Sequence, residues 1–201
     1  MKFLIIFLIL PIFCFSQVDS NSIFPIKDAK VVYESIVNLS DVNKKTIYAA
    51  SKKWVADSFK SGKSVIQSED ESTGQIIGWG YGDIILDNKG LIIQSIRLKF
   101  SVQINCKDDR YRIRFYDIYH HTEATNYISE TNLPIEYYST ILETKKSRDK
   151  KSSESDDVYG RPSSLRKAEK AKLIRTLTNK YFNGLKDNFN IAIQKYKNDD
   201  F

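Results

Sequence analysis

The chain has 201 residues, with 31 Lys and Arg against 25 Asp and Glu and a net charge of +6. It holds two cysteines, Cys14 and Cys106, so a disulfide-stapled scaffold is excluded if Cys14 is removed, and the fold must stand on its hydrophobic core. No stretch after the first residues approaches the roughly 20 apolar residues that a membrane-spanning helix needs.

The opening reads as an export signal. Lys2 supplies the positive start, Phe3 to Phe15 is an apolar run, and Cys14-Phe15-Ser16 places small residues at the −3 and −1 positions before Gln17. Residues 1–16 are therefore expected to be cleaved, giving a periplasmic or secreted protein. A lipoprotein anchored through Cys14 is the disfavoured alternative, because the bulky Phe13 precedes that cysteine. A retained anchor is the remaining one. Residues 17–29 form a short mature leader.

Lys30 to Val37 is rich in β-branched and aromatic residues and suits a first strand. Ser40 is the expected helix N-cap, with Asp41 in the first turn. Ile47, Ala50, Trp54 and Phe59 then share one face of a helix over about Asp41 to Ser61, with Gly62 as its stop. Lys63 to Ser68 makes a second strand, the acidic stretch from Glu69 to Gly74 a turn, and Gln75 to Ile85 a third strand. In that third strand Gly78, Gly80 and Gly82 alternate with Ile77, Trp79 and Tyr81. Such a glycine row admits either a ligand or a closely approaching helix or coiled sheet, and packing is the commoner use.

Asp87-Asn88-Lys89-Gly90 signals a turn into a long β-hairpin, Leu91 to Tyr119. Ile96, Leu98, Phe100, Val102 and Ile104 alternate with polar residues, and Tyr111, Ile113 and Phe115 resume the pattern after Lys107-Asp108-Asp109-Arg110. Folding about Asp108-Asp109 sets Ile104 against Ile113 and Val102 against Phe115. A slip of one residue would put one apolar set in water. The phase breaks at Tyr116-Asp117, which predicts a bulge that turns Ile118 inward.

Asn132-Leu133-Pro134 is expected to break regular structure, with Ile135, Tyr137, Tyr138, Ile141 and Leu142 lying against the body. Residues 145–164 have almost nothing to bury and read as a charged, disordered linker. From Leu165 to the end, Ile174, Leu177, Tyr181, Leu185, Phe189 and Ile193 follow helical spacing, and Gly184 is a place where that helix could bend or stop. The sum is an α+β fold: a five-stranded antiparallel sheet, β-α-β-β-β-β-α, with both helices on one face and the other face open.

The stretch Gly74-Gln75-Ile76-Ile77-Gly78 and the hairpin Lys107-Asp108-Asp109-Arg110-Tyr111-Arg112 followed by Phe115 resemble a group of secreted bacterial proteins. These carry a domain of unknown function with a TATA-binding-protein-like (TBP-like) fold. The resemblance covers about Lys30 to Tyr119 and implies that fold; it brings no catalytic residues, and a shared fold does not imply DNA binding.

Few residues invite chemistry. His120 and His121 are adjacent in a strand and point to opposite faces, so they cannot grip one metal ion together. No phosphate loop or cofactor motif is present. Cys106 lacks a positioned base, and the Glu69-Asp70-Glu71 cluster sits in a turn where solvation explains it. No catalytic, metal or cofactor residue is assigned, and the protein is expected not to be an enzyme. The candidate surface is the polar side of the hairpin, where Asn105 faces Arg112, Gln103 faces Arg114, and Arg97, Lys99 and Tyr116 continue the same side. Four cations and a tyrosine on an open sheet suit a small anionic ligand or an envelope protein partner; charged residues that merely keep a sheet face in water are the plainer reading. Between Lys145 and Arg175 eleven Lys and Arg stand against five Asp and Glu. That basic tether suggests contact with anionic membrane and a structural or accessory role in the envelope as the alternative function, with a hydrolase as a remote third. Export and the interrupting carboxylates argue against a nucleic-acid partner.

Overall fold

A computed structural model describes residues 23–59, 65–87, 94–124, 129–141 and 163–198. The expected signal peptide, the turn at 88–90 and residues 145–162 of the charged linker lie outside these residues, so of the basic tether only residues 163–175 are described, as the first turns of the last helix.

The leader opens with a two-stranded ribbon, β1 (Ile26–Lys27) and β2 (Lys30–Val31). Then follow β3 (Tyr33–Asn38), helix α1 (Lys44–Ser58), β4 (Val65–Asp70), β5 (Gln75–Asp87), β6 (Gln94–Lys107), β7 (Arg110–Thr122), β8 (Thr131–Pro134) and helix α2 (Ser163–Asn198). The main sheet is antiparallel in the order β3-β7-β6-β5-β4, with β8 also paired to β7. It has six strands where the sequence predicts five.

The additional strand is β8, in the stretch expected to be irregular. Its Pro134 sits at the last position of an edge strand, opposite Tyr119, where a missing N–H costs the ladder nothing. β3 and β8 share the outer edge of β7: β3 lines Arg110 to Phe115 and β8 lines Tyr119 to Thr122. Between them lies the expected bulge. Lys99 faces Tyr119 while Ser101 faces Tyr116, so Phe100 spans two residues of β7, and Asp117 takes a left-handed φ of 48°. Ile118 is thereby turned into the core.

Helix α1 starts three residues later than its sequence suggests. Asn43, not Ser40, is its N-cap, and its side chain accepts from the Thr46 N–H. The reason is tertiary. The Leu39 N–H donates to the Asp109 carbonyl, and the Asp109 N–H donates to the Val42 carbonyl. Asp109 Oδ1 takes the Val42 N–H and Asp108 Oδ1 takes that of Lys44, both within 2.8 Å. The hairpin turn thus holds residues 39–44 against itself, and Asp41 is left with φ 59°.

Both helices cover one face, as expected. Ile96, Leu98, Phe100, Val102, Ile104, Tyr111, Ile113 and Phe115 are all buried there. Phe100 is at the centre, with its ring edge-on to Phe59, Phe115 and Phe182. The glycine strand is used for close packing. A Cβ on Gly80 would stand 3.1 Å from the Phe59 ring, and one on Gly82 would overlap the Tyr181 hydroxyl of α2. Trp54 Nε1 donates to Asn188 Oδ1 and ties α1 to α2. Gly184 does not interrupt α2, because Phe182, Phe189 and Ile193 are buried on either side of it.

Candidate functional site

The strand register arranges the open face in rows. Glu34, Arg114, Gln103 and Ile77 form one row; Ile36, Arg112, Asn105 and Gln75 the next. In the other direction come Tyr116, Ser101 and Trp79, then Tyr119, Lys99 and Tyr81, and finally His121, Arg97 and Asp83. All five candidate residues stand on this face, and the expected cross-strand pairs form. Arg112 donates to Asn105 Oδ1 at 2.9 Å, and Arg114 reaches Gln103 Oε1 at 3.5 Å.

The four cations are not one cluster, however. Arg97 lies at the far end, where it donates to both oxygens of Asp83 and to Glu123. Lys99 sits over the Trp79 ring at 5.8 Å. Arg112 and Arg114 belong to the other end and share one carboxylate, Glu34, at 3.8 and 3.6 Å. Lys27 reaches the same carboxylate at 3.4 Å, so three cations surround one anion. Those distances are long for charge-assisted hydrogen bonds, and among the described residues the buried Nε of Arg114 has only its 3.6 Å contact to Glu34. The Arg114 guanidinium also lies over the Tyr116 ring, 5.6 Å from its centre. Burial, and then the adjacent Asp117, raises the Tyr116 hydroxyl above its ordinary pKa and keeps it neutral.

Sequence reasoning missed the aromatic half of this face. Trp79 and Tyr81 meet edge to face, and Tyr81 lies 5.0 Å from His121. Their alternation with the glycines carried the signal, since the face opposite a packed glycine row must be the open one. Carboxylates that pair with the cations from distant positions, Glu34 and Glu123, leave no mark in a local pattern.

The histidines diverge, as their adjacency dictates. His120 Nδ1 pairs with the Tyr138 hydroxyl on the helix side, and His121 Nδ1 with Asn132 Oδ1 on the open side. Burial, followed by the charge of Lys170, lowers the pKa of His120. Cys106 is enclosed with Ser51 at 3.6 Å, and burial pushes its thiol up to about 11, which makes it a poor nucleophile. Among the described residues no three His, Cys, Asp or Glu side chains converge as metal ligands. No described helix is long and apolar enough to cross a membrane.

Two solved structures share this architecture. A TBP-like protein from Parabacteroides distasonis ATCC 8503 superposes with a TM-score of 0.60 at 20% identity, over 85% of this chain and 96% of that one. A DUF4468 family protein from Bacteroides ovatus ATCC 8483 gives 0.61 at 18% identity, over 85% and 90%. Identities this low establish the fold alone. No curated protein matches the chain. Residues 33–121 match the family model described as a domain of unknown function (DUF4468) with TBP-like fold.

Proposed function

We propose that the protein is an exported, non-enzymatic binding module that holds an anionic ligand or partner on the open face of its sheet. The observation that carries this reading is the corner where Arg112 and Arg114 share the single carboxylate of Glu34, at 3.8 and 3.6 Å. These contacts are longer than charge-assisted hydrogen bonds, so an incoming carboxylate, phosphate or sulfate can compete with Glu34 for the two guanidinium groups. The middle of the face is aromatic, so specificity would come from contacts along the Tyr116, Trp79 and Tyr81 side. Export rests on Lys2 and the apolar run from Phe3 to Phe15.

The test is a panel of anionic glycans, phosphate esters and carboxylates, read by thermal shift and by Trp79 fluorescence. The wild-type protein should respond to at least one class, and Arg112→Glu with Arg114→Glu should abolish that response while the circular dichroism spectrum stays native. An unchanged response in the double variant would remove this face from consideration.

A further inference from the structure

Beside that corner the open face holds a recess of about 310 Å³ at the hairpin end, lined by Ile36, Thr73, Asn105, Lys107, Arg110 and Arg112, with main chain from Cys106 and Tyr111. Lys107 pairs with Arg110 and Asn105 with Arg112, so these four side chains occupy adjacent positions on one face. Three of them are cations, and among the described residues no carboxylate lines the recess.

The hairpin turn places two carboxylates next to those cations in sequence, yet neither is used to neutralise them. Asp108 accepts the Lys44 N–H and Asp109 the Val42 N–H, on the loop that enters α1. Asp70, an acid of the β4–β5 turn, is held by the hydroxyls of Ser72 and Thr73. Glu34 comes no nearer to Arg112 than 3.8 Å. Among the described residues Lys107 and Arg110 make no side-chain hydrogen bond or ion pair.

From this geometry we infer that the recess binds a small phosphate monoester. A monocarboxylate would leave two of the three cations unanswered, whereas a phosphate monoester carries close to two negative charges and three acceptor oxygens at neutral pH. Two guanidinium forks and one ammonium match those oxygens. The recess is larger than a phosphate group, and Ile36, 61% exposed at its wall, offers an apolar surface for a short organic body. The inference rests on the open-face reading above and names the ligand class for one end of it.

Calorimetric titration of the full chain with glycerol 3-phosphate, at low ionic strength, tests it. Glycerol and succinate serve as controls, and vesicles containing phosphatidic acid distinguish a lipid headgroup from a free ester. Saturable one-to-one binding is expected, weakened about tenfold by Arg110→Ala and lost in Lys107→Ala with Arg110→Ala, the equivalent of about 1.4 kcal/mol for the first step. Arg97→Ala, at the far end of the sheet, should bind as the wild type does. Absence of binding, equal binding by the Arg110→Ala variant, equal affinity for succinate, or binding to vesicles alone would overturn the inference. Arg110 lies outside the pair used to test the broader reading. A null titration beside a positive ligand panel therefore overturns the phosphate site alone, and silence in both overturns both.

Discussion

Phe100 and Lys99 are neighbours in β6 and stand on opposite sides of the sheet. Phe100 is 1% exposed and meets four aromatic rings, from the C-cap of α1, from β7 and from α2. Lys99 is half-buried and its ammonium rests over one ring, Trp79. The helix side is a solid in which each side chain has one place. The open side is a lattice of exchangeable polar contacts, and only such a surface can give up its internal pairs to a ligand without loss of the fold.

Substitutions on the two sides should therefore differ sharply. Phe100→Ala should cost about 3–5 kcal/mol in urea denaturation, whereas Lys99→Ala should cost less than about 1 kcal/mol. Comparable values would mean that the open face is as closely packed as the core. Gly74→Ala comes next, at about 1–3 kcal/mol. Gly74 has φ 69°, and an added Cβ would stand 2.4 Å from the Cys106 carbonyl oxygen, which is main chain and cannot step aside. Arg97→Ala should change stability by less than about 1 kcal/mol, and by less still in high salt, because its partners Asp83 and Glu123 are exposed. A larger or salt-independent loss would show that this end is structural.

The smallest effect concerns pH. Hydrogen bonds from Ser72 and Thr73 hold the Asp70 carboxyl down from 3.8 to about 2. A depressed carboxylate stabilises the folded state above its unfolded pKa and loses that contribution as pH falls through the folded value. The turn should thus weaken between about pH 4 and pH 2, and Asp70→Asn should remove that part of the acid limb of a stability–pH curve.

Much of the fold was legible because alternation and helical spacing record local geometry. The register Ile104 to Ile113 and Val102 to Phe115 and the bulge at Asp117 follow from period two and its interruption, and the close packing over Gly80 and Gly82 is the commoner of the uses their row allowed. What local pattern does not carry is a partner far along the chain. The start of α1 depends on Asp108 and Asp109, more than 60 residues later. β8 escaped notice because four residues with a proline read as a break, while an edge strand tolerates one. The same limit applied to the candidate site. Arg97, Lys99, Arg112 and Arg114 could be assigned to one face, but Glu34, Asp83 and Glu123, which divide them into two ends, could not be foreseen. Lys107 and Arg110 were taken only as turn residues.

The seat that Gly82 provides for Tyr181 sets where this folding unit ends. The stretch that matches the family model, residues 33–121, contains neither Tyr181 nor the buried Phe182 and Phe189, which close the core from α2. A fragment cut at residue 121 would present the inner surface of a sheet with half its roof missing, and should aggregate or remain molten. Adding the segment 163–198 as a separate peptide should restore a cooperative melt, which would make α2 a detachable but obligatory subunit of its own chain.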